Sequence, residues 1–171
     1  MYDFIAVGRF FGHFLVPILL FLGSCDHQKS TLPITIPKTL SQYEVKILQL
    51  PQGKKLYTFI AQSAGQQAQG LSGLKGEEFA TNFAMFFPGK ADMPRTFWMP
   101  DTYFDLDIFF LDKNLRVIDM QRNVPHHPGR QEPPTITRTK SVHSRHVLEI
   151  KSSSPLAKEI RIGQQLKFIN P

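Results

Sequence analysis

No apolar run in the second half of this chain is long enough for a buried helix. Past residue 42 the apolar residues come in bursts of four to six, and each burst ends in a turn-forming residue. Tyr43-Glu44-Val45-Lys46-Ile47 alternates apolar with charged, the period of a half-buried strand. Pro51-Gln52-Gly53-Lys54 then turns the chain, so Leu56–Ala61 reads as the second arm of a hairpin. Further strands are expected at 83–87, 96–99, 106–111, 115–121, 145–150 and 166–169. Two short helices interrupt them. Ser63 is placed to cap 64–69, which Gly70 stops, and Ser154-Pro155 opens a turn or two toward Ile160. Residues 122–144 hold four Pro and read as a long irregular loop. Eight short strands without a βαβ rhythm predict a mainly β fold, an antiparallel sandwich or barrel with one or two short helices.

The first quarter of the chain has a different texture. Phe14–Leu22 is nine residues without a polar side chain, preceded by Arg9 and followed by Gly23-Ser24-Cys25. Nine residues are too few to span a bilayer, which needs about 20, and the layout is that of a secretory apolar core. Leu22-Gly23-Ser24-Cys25 resembles a bacterial lipobox, in which the Cys is acylated and becomes the mature N-terminus. The chain's single Cys stands there. The alternative, an uncleaved anchor over residues 4–22, would bury Arg9 and His13 in lipid. The expected division is a signal peptide over 1–24, a lipidated Cys25 with a tether to residue 42, and one β domain over 43–171. Asp26 leans toward the inner membrane, and the tether, fully extended, reaches about 50 Å. The membrane, met through this lipid, is the first expected partner, and the cell envelope facing the periplasm or the outside is the expected location.

With one Cys, no disulfide framework and no Cys-based metal cage forms within the chain. No GxSxG, HExxH or P-loop occurs. The net charge of +6 is uneven: residues 113–171 carry eleven Lys and Arg against four Asp and Glu. The basic stretch 122–145 suits anionic lipid or an acidic wall polymer, or is a solvated loop. Nucleic acid is not expected, because no aromatic residues interleave with the basic ones as stacking on single strands requires.

Several spaced motifs point to a family. Gly70-Leu71-Ser72-Gly73, Phe83-Ala84-Met85-Phe86-Phe87, Thr96-Phe97-Trp98-Met99-Pro100-Asp101-Thr102, Leu106-Asp107-Ile108 and Val147-Leu148-Glu149-Ile150 occur in order, with Ile162-Gly163 closing the set. Together they resemble the domain-of-unknown-function family number 192, small secreted or envelope-anchored β domains. The resemblance implies a compact, jelly-roll-like β fold and no particular activity. The chain departs from the family pattern at Leu74, where Arg is usual, at Pro100-Asp101, where Lys-Asn is usual, and at Asp105, where Pro is frequent. A pocket lined by those positions would be more acidic here.

The residues that can carry chemistry form two groups. Arg95, Trp98, Asp101, Thr102, Asp105 and Asp107 are the candidate binding or catalytic set: a stacking face with hydrogen-bonding groups at its rim, or a core Trp with a turn built by Asp101 and Thr102. Asp107 lies inside an apolar strand, so it needs donors or a cation, whether structural or in a site. Asp105 shares its face, about 7 Å away. His126, His127 and His143 are a candidate metal set; His146 and Glu149, three residues apart in a strand, point to opposite faces and break a shared site. No cofactor is expected. The leading expectation is a lipid-anchored envelope protein that binds a small ligand or envelope component, with the loop 122–144 as a flap. The alternatives are a hydrolase or transferase on an envelope polymer, with Asp101, Asp105 or Asp107 as acid or base, and an accessory protein for envelope assembly docking through the basic loop.

Overall fold

The computed structural model describes residues 34–170. The signal segment 1–24, Cys25 and Asp26 lie outside the described residues. No described helix is long and apolar enough to cross a membrane.

Nine strands form among the described residues: β1 (Glu44–Gln49), β2 (Lys55–Ile60), β3 (Phe83–Phe87), β4 (Met93–Arg95), β5 (Leu106–Leu111), β6 (Val117–Val124), β7 (Val142–Ser144), β8 (His146–Lys151) and β9 (Lys167–Ile169). One helix, α1 (Ala64–Gln69), accompanies them. Seven strands make one sheet in the order β6-β5-β8-β3-β2-β1-β9, and β4 pairs with β7 in a separate ribbon. The fold is mainly β, as the strand-sized apolar bursts require.

The sheet is buried on both faces, and strand periodicity sorts its side chains. Leu106, Ile108 and Phe110 enter one core with Phe59, Met85 and Val147. Phe109 and Leu111 enter a second with Ile60, Leu148 and Ile150. A strand sandwiched in this way reads as an unbroken apolar run, which is why 83–87 and 106–111 stood out. The sheet's edges also meet. Arg116 bridges Gln165, the Val117 N–H donates to the Gln164 carbonyl at 2.9 Å, and the Leu166 N–H donates to Leu115 at 3.1 Å. Residues 163–166 lead directly into β9, so the sheet curls back on itself and leaves few free edge groups.

Four expectations need correction. The sheet is mixed, because β2 pairs with β3 in parallel. A parallel neighbour demands a crossover, and residues 61–82, with α1 and a 3-10 turn at Gly76–Glu78, supply it. The strand expected at 96–99 forms earlier, as β4; Trp98 makes only an isolated bridge to Arg138. The loop 122–144 is shorter than expected, since β6 runs to Val124 and β7 begins at Val142. Residues read as tether also join the domain: Leu40 is 1% exposed, and Ile34 and Ile36 pack against the same core.

Local chemistry behaves as its residues dictate. The Gln66 N–H donates to Ser63 Oγ at 3.1 Å while the Ser63 N–H donates to Gln66 Oε1 at 3.0 Å, a reciprocal cap. Ser154 Oγ accepts from the N–H groups of Leu156 and Ala157, but the turn it opens is 3-10, Ala157–Glu159.

Candidate functional site

Two of the spaced motifs are sewn together by hydrogen bonds. The Gly73 N–H donates to the Asp101 carbonyl at 2.7 Å, and Ser72 Oγ donates to the Pro100 carbonyl at 2.8 Å. Asp101 holds this corner in the left-handed region, φ 56°, which Asp tolerates better than most residues. The far side of the corner is gripped by the loop after β6. The Met99 N–H donates to Thr137, the Thr139 N–H to Phe97, and the Thr102 N–H to His127. The loop therefore lies strapped along residues 97–102.

Under this corner is a cavity of about 50 Å³. Gly70, Leu71, Trp98, Met99 and Thr102 are among its walls, and Glu149 of β8 reaches it from the sheet. Register explains why. Glu149 stands opposite Met85 of β3 and Ile108 of β5, both members of the first core. Strand alternation thus sends its carboxyl toward the corner. Glu149 is 5% exposed, and no described group donates a hydrogen bond to it. Burial alone pushes its pKa up to about 8, so at neutral pH the carboxyl keeps its proton and is a hydrogen-bond donor. Trp98, 54% exposed, stands at the mouth with the Arg138 guanidinium 5.5 Å from its ring.

The candidate set from the sequence is divided by the structure. Trp98 and Thr102 line the cavity. Thr102 is committed to structure, its hydroxyl donating to the Met99 carbonyl at 2.9 Å and accepting from the His127 N–H at 3.0 Å. Arg95 and Trp98 share an adjoining groove of about 280 Å³. Asp101 accepts from the Tyr103 hydroxyl at 3.0 Å and faces Arg130 at 3.7 Å. Asp105 is tied to His126, accepting from its backbone N–H at 2.9 Å with the ring Nδ1 at 2.6 Å.

Asp107 is on the other side of the sheet from the cavity. Its carboxylate accepts from Arg122 at 2.6 Å, from the Asn123 N–H at 2.9 Å and from Ser152 Oγ at 2.8 Å. Arg122 also donates to the carbonyls of Ala157 and Ile160, which pins the last 3-10 turn. Its demand for donors is met structurally, and it does not converge with Asp105 on a site.

The metal set does not assemble. Among the described residues no three His, Cys, Asp or Glu cluster around a common point. The His127 ring Nε2 donates to the Gln131 carbonyl at 3.0 Å, His126 is paired with Asp105, and His143 lies on the separate β4–β7 ribbon opposite Pro94. Leu74, where a basic residue was noted as usual, is buried in the first core.

From sequence Glu149 was weighed chemically only beside the histidines His143 and His146. The signal was present: an acid inside Val147-Leu148-Glu149-Ile150 raises the same question as Asp107 inside 106–111.

Known proteins bear on this arrangement as follows. The family model for DUF192, described as Uncharacterized ACR, matches residues 47–168. None of the curated proteins compared with the chain matches it. Two solved structures share the fold. One, a proposed transcription regulator from Sinorhizobium meliloti 1021, has a TM-score of 0.59 and 23% identity over 74% of this chain and 95% of that one. The other, a protein of unknown function from Novosphingobium aromaticivorans DSM 12444, has a TM-score of 0.59 and 23% identity over 81% of this chain and 94% of that one. At that identity the likeness speaks for fold alone.

Proposed function

The chain belongs to the DUF192 family, and from that premise we propose that it is a binding module for a small ligand or envelope component, held at the cell envelope by a lipid on Cys25. The observation that carries the binding reading is Glu149: a buried carboxyl without a partner, opening into a cavity roofed by a solvent-exposed Trp. Burying such a group unpaired costs stability, and a fold that keeps it beside a cavity has a use for it. The cavity admits the end of a ligand, one carbonyl or hydroxyl that accepts a hydrogen bond from Glu149. The body of the ligand lies against Trp98 outside. The loop strapped over residues 97–102 is the flap, and its basic residues favour an anionic envelope surface nearby.

The hydrolytic alternative called for two titratable groups of unlike environment converging on a cleft. Asp101, Asp105 and Asp107 are each engaged elsewhere, which favours binding over acid–base catalysis.

Trp98, the only Trp, reports on the site. Its emission, titrated with a panel of glycans and small carbonyl compounds at pH 6.5, is expected to show a saturable shift that Glu149→Leu abolishes. A flat response across the panel overturns the reading. The anchor has its own test. Palmitate label is expected on the expressed protein and absent from Cys25→Ser, and label that survives the substitution removes the lipid from the proposal.

A further inference from the structure

A second concavity lies apart from Glu149, although Met93 and Arg95 also line the groove shared with Trp98. It is a groove of about 910 Å³ between the ends of β2 and β3 and the segment leading into β4, at the upper end of the range of small-molecule pockets. Ile60, Phe86 and Phe168 supply apolar lining, and Met93, 49% exposed, adds a further apolar wall. Lys46, Lys90 and Arg95 are its charged members, and no Asp or Glu lines it. Lys46 is shared with Glu44 at 3.3 Å. Lys90 and Arg95 have no carboxylate partner among the described residues.

Arg95 is built into place. Its Nε donates to the Ser144 carbonyl at 3.3 Å, and its guanidinium lies against Gly89. A Cβ on that glycine would overlap Arg95 Nη2 and the Arg145 carbonyl, so only Gly lets the guanidinium approach the backbone this closely. Burial, and then the neighbouring Arg145 charge, pull the Arg95 pKa below its ordinary value. Arg145 is itself paired with Asp92 at 2.8 Å, whereas Arg95 is a half-buried cation without a carboxylate partner among the described residues, a charge that an anion in the groove relieves. With Nε committed to Ser144 and Nη2 packed against Gly89, Nη1 is left to meet a carboxylate oxygen by a charge-assisted hydrogen bond.

We propose that this groove binds a fatty carboxylate, its alkyl chain along Ile60, Phe86, Met93 and Phe168 and its carboxylate on Arg95 with Lys90 beside it. Calorimetric titration of the full chain with sodium octanoate, below its micelle concentration, tests this beside octanol, acetate and octyl phosphate. Octanoate is expected to bind at least about tenfold more tightly than octanol or acetate, because charge and chain both contribute. Arg95→Gln is expected to weaken octanoate at least about fivefold. Lys90→Glu, at an exposed side chain that makes no hydrogen bond or ion pair among the described residues and leaves the backbone carbonyl that accepts from Arg145 in place, is expected to weaken it in the same direction and covers the case in which Arg95→Gln misfolds. Glu149→Leu, which removes the cavity's acid, is expected to leave octanoate affinity unchanged, so the two sites stand or fall separately. Octanol equal to octanoate, octyl phosphate tighter than octanoate, or wild-type affinity in Lys90→Glu together with a folded Arg95→Gln overturns the assignment.

Discussion

Asp107 and Glu149 are the same feature in sequence and opposite features in structure. Each is a single acid within an apolar strand, and the two lie on adjacent strands, β5 and β8, one register step apart: Asp107 pairs with Ile150 and Glu149 with Ile108. Alternation sends them through opposite faces of the sheet. On its face Asp107 meets a guanidinium, a hydroxyl and a backbone N–H. On the other, Glu149 meets a cavity. Pattern alone says that an acid is buried; the elements packed on that face decide whether it is satisfied. A satisfied acid is evidence about stability, and an unsatisfied one about a site.

The contrast breaks most sharply at Arg122. Removing one partner of a buried ion pair costs about 3–5 kcal/mol, because the other charge is left uncompensated. Arg122→Met is therefore expected to destabilise the domain by about that much in urea unfolding, and to loosen the turn at Ala157–Ile160 that Arg122 also holds. Adding Asp107→Leu to it is expected to recover much of the loss. If Arg122→Met is neutral, Asp107 is not a structural acid, and its place in a binding or catalytic site reopens.

Glu149 gives the reverse sign. Its folded pKa of about 8 lies above the ordinary 4.5 of a free Glu. Below pH 4.5 both folded and unfolded chains hold the proton, and burial carries no linked penalty. Between there and 8 the unfolded chain ionises while the folded one stays protonated, so stability falls as pH rises, by about 1.4 kcal/mol per pH unit for a fully shifted group. Glu149→Gln does not titrate. It is expected to match the wild type near pH 4.5, to exceed it increasingly toward pH 8, and to level off above. Unfolding midpoints at pH 4.5, 6.5 and 8.5 check this, and parallel curves for the two proteins would mean that Glu149 has a partner in solution.

Much of the frame was open to reading because its causes are local. The Ser63 cap over α1, the Ser154 cap and the strands at 83–87 and 106–111 depend on residues within a few positions of one another, and each stands where its own residues put it. The parallel pairing of β2 with β3 and the joining of β6 to residues 163–166 are contacts between distant segments, which no periodicity encodes. β4 hid for a different reason: Met93-Pro94-Arg95 has neither alternation nor a β-branched residue, and its strand geometry comes from β7 across the ribbon. Trp98 and Thr102 fall together on the cavity wall because their motif is compact. Glu149 was missed because its role is set by a corner built from residues 70–73 and 97–102.

Asp105 completes the series as an acid that is paired but exposed. Desolvation raises its pKa, and the side-chain and backbone hydrogen bonds from His126 outweigh this and bring it below the ordinary carboxylate value. With both side chains nearly half exposed, solvent screens the pair, and such contacts are worth about 0.2–1 kcal/mol. His126→Ala keeps the backbone N–H bond and is expected to cost no more than that. A lowered carboxyl pKa stabilises above the unfolded value and ceases to as pH falls through the folded one, so the cost of His126→Ala should vanish in acid. It should also shrink in 1 M salt, where the screening length drops to about 3 Å, while the cost of Arg122→Met persists because burial shields that pair. An equal salt response in the two variants would mean that exposure does not separate Asp105 from Asp107, and that the face of the sheet is not what sets the fate of these acids.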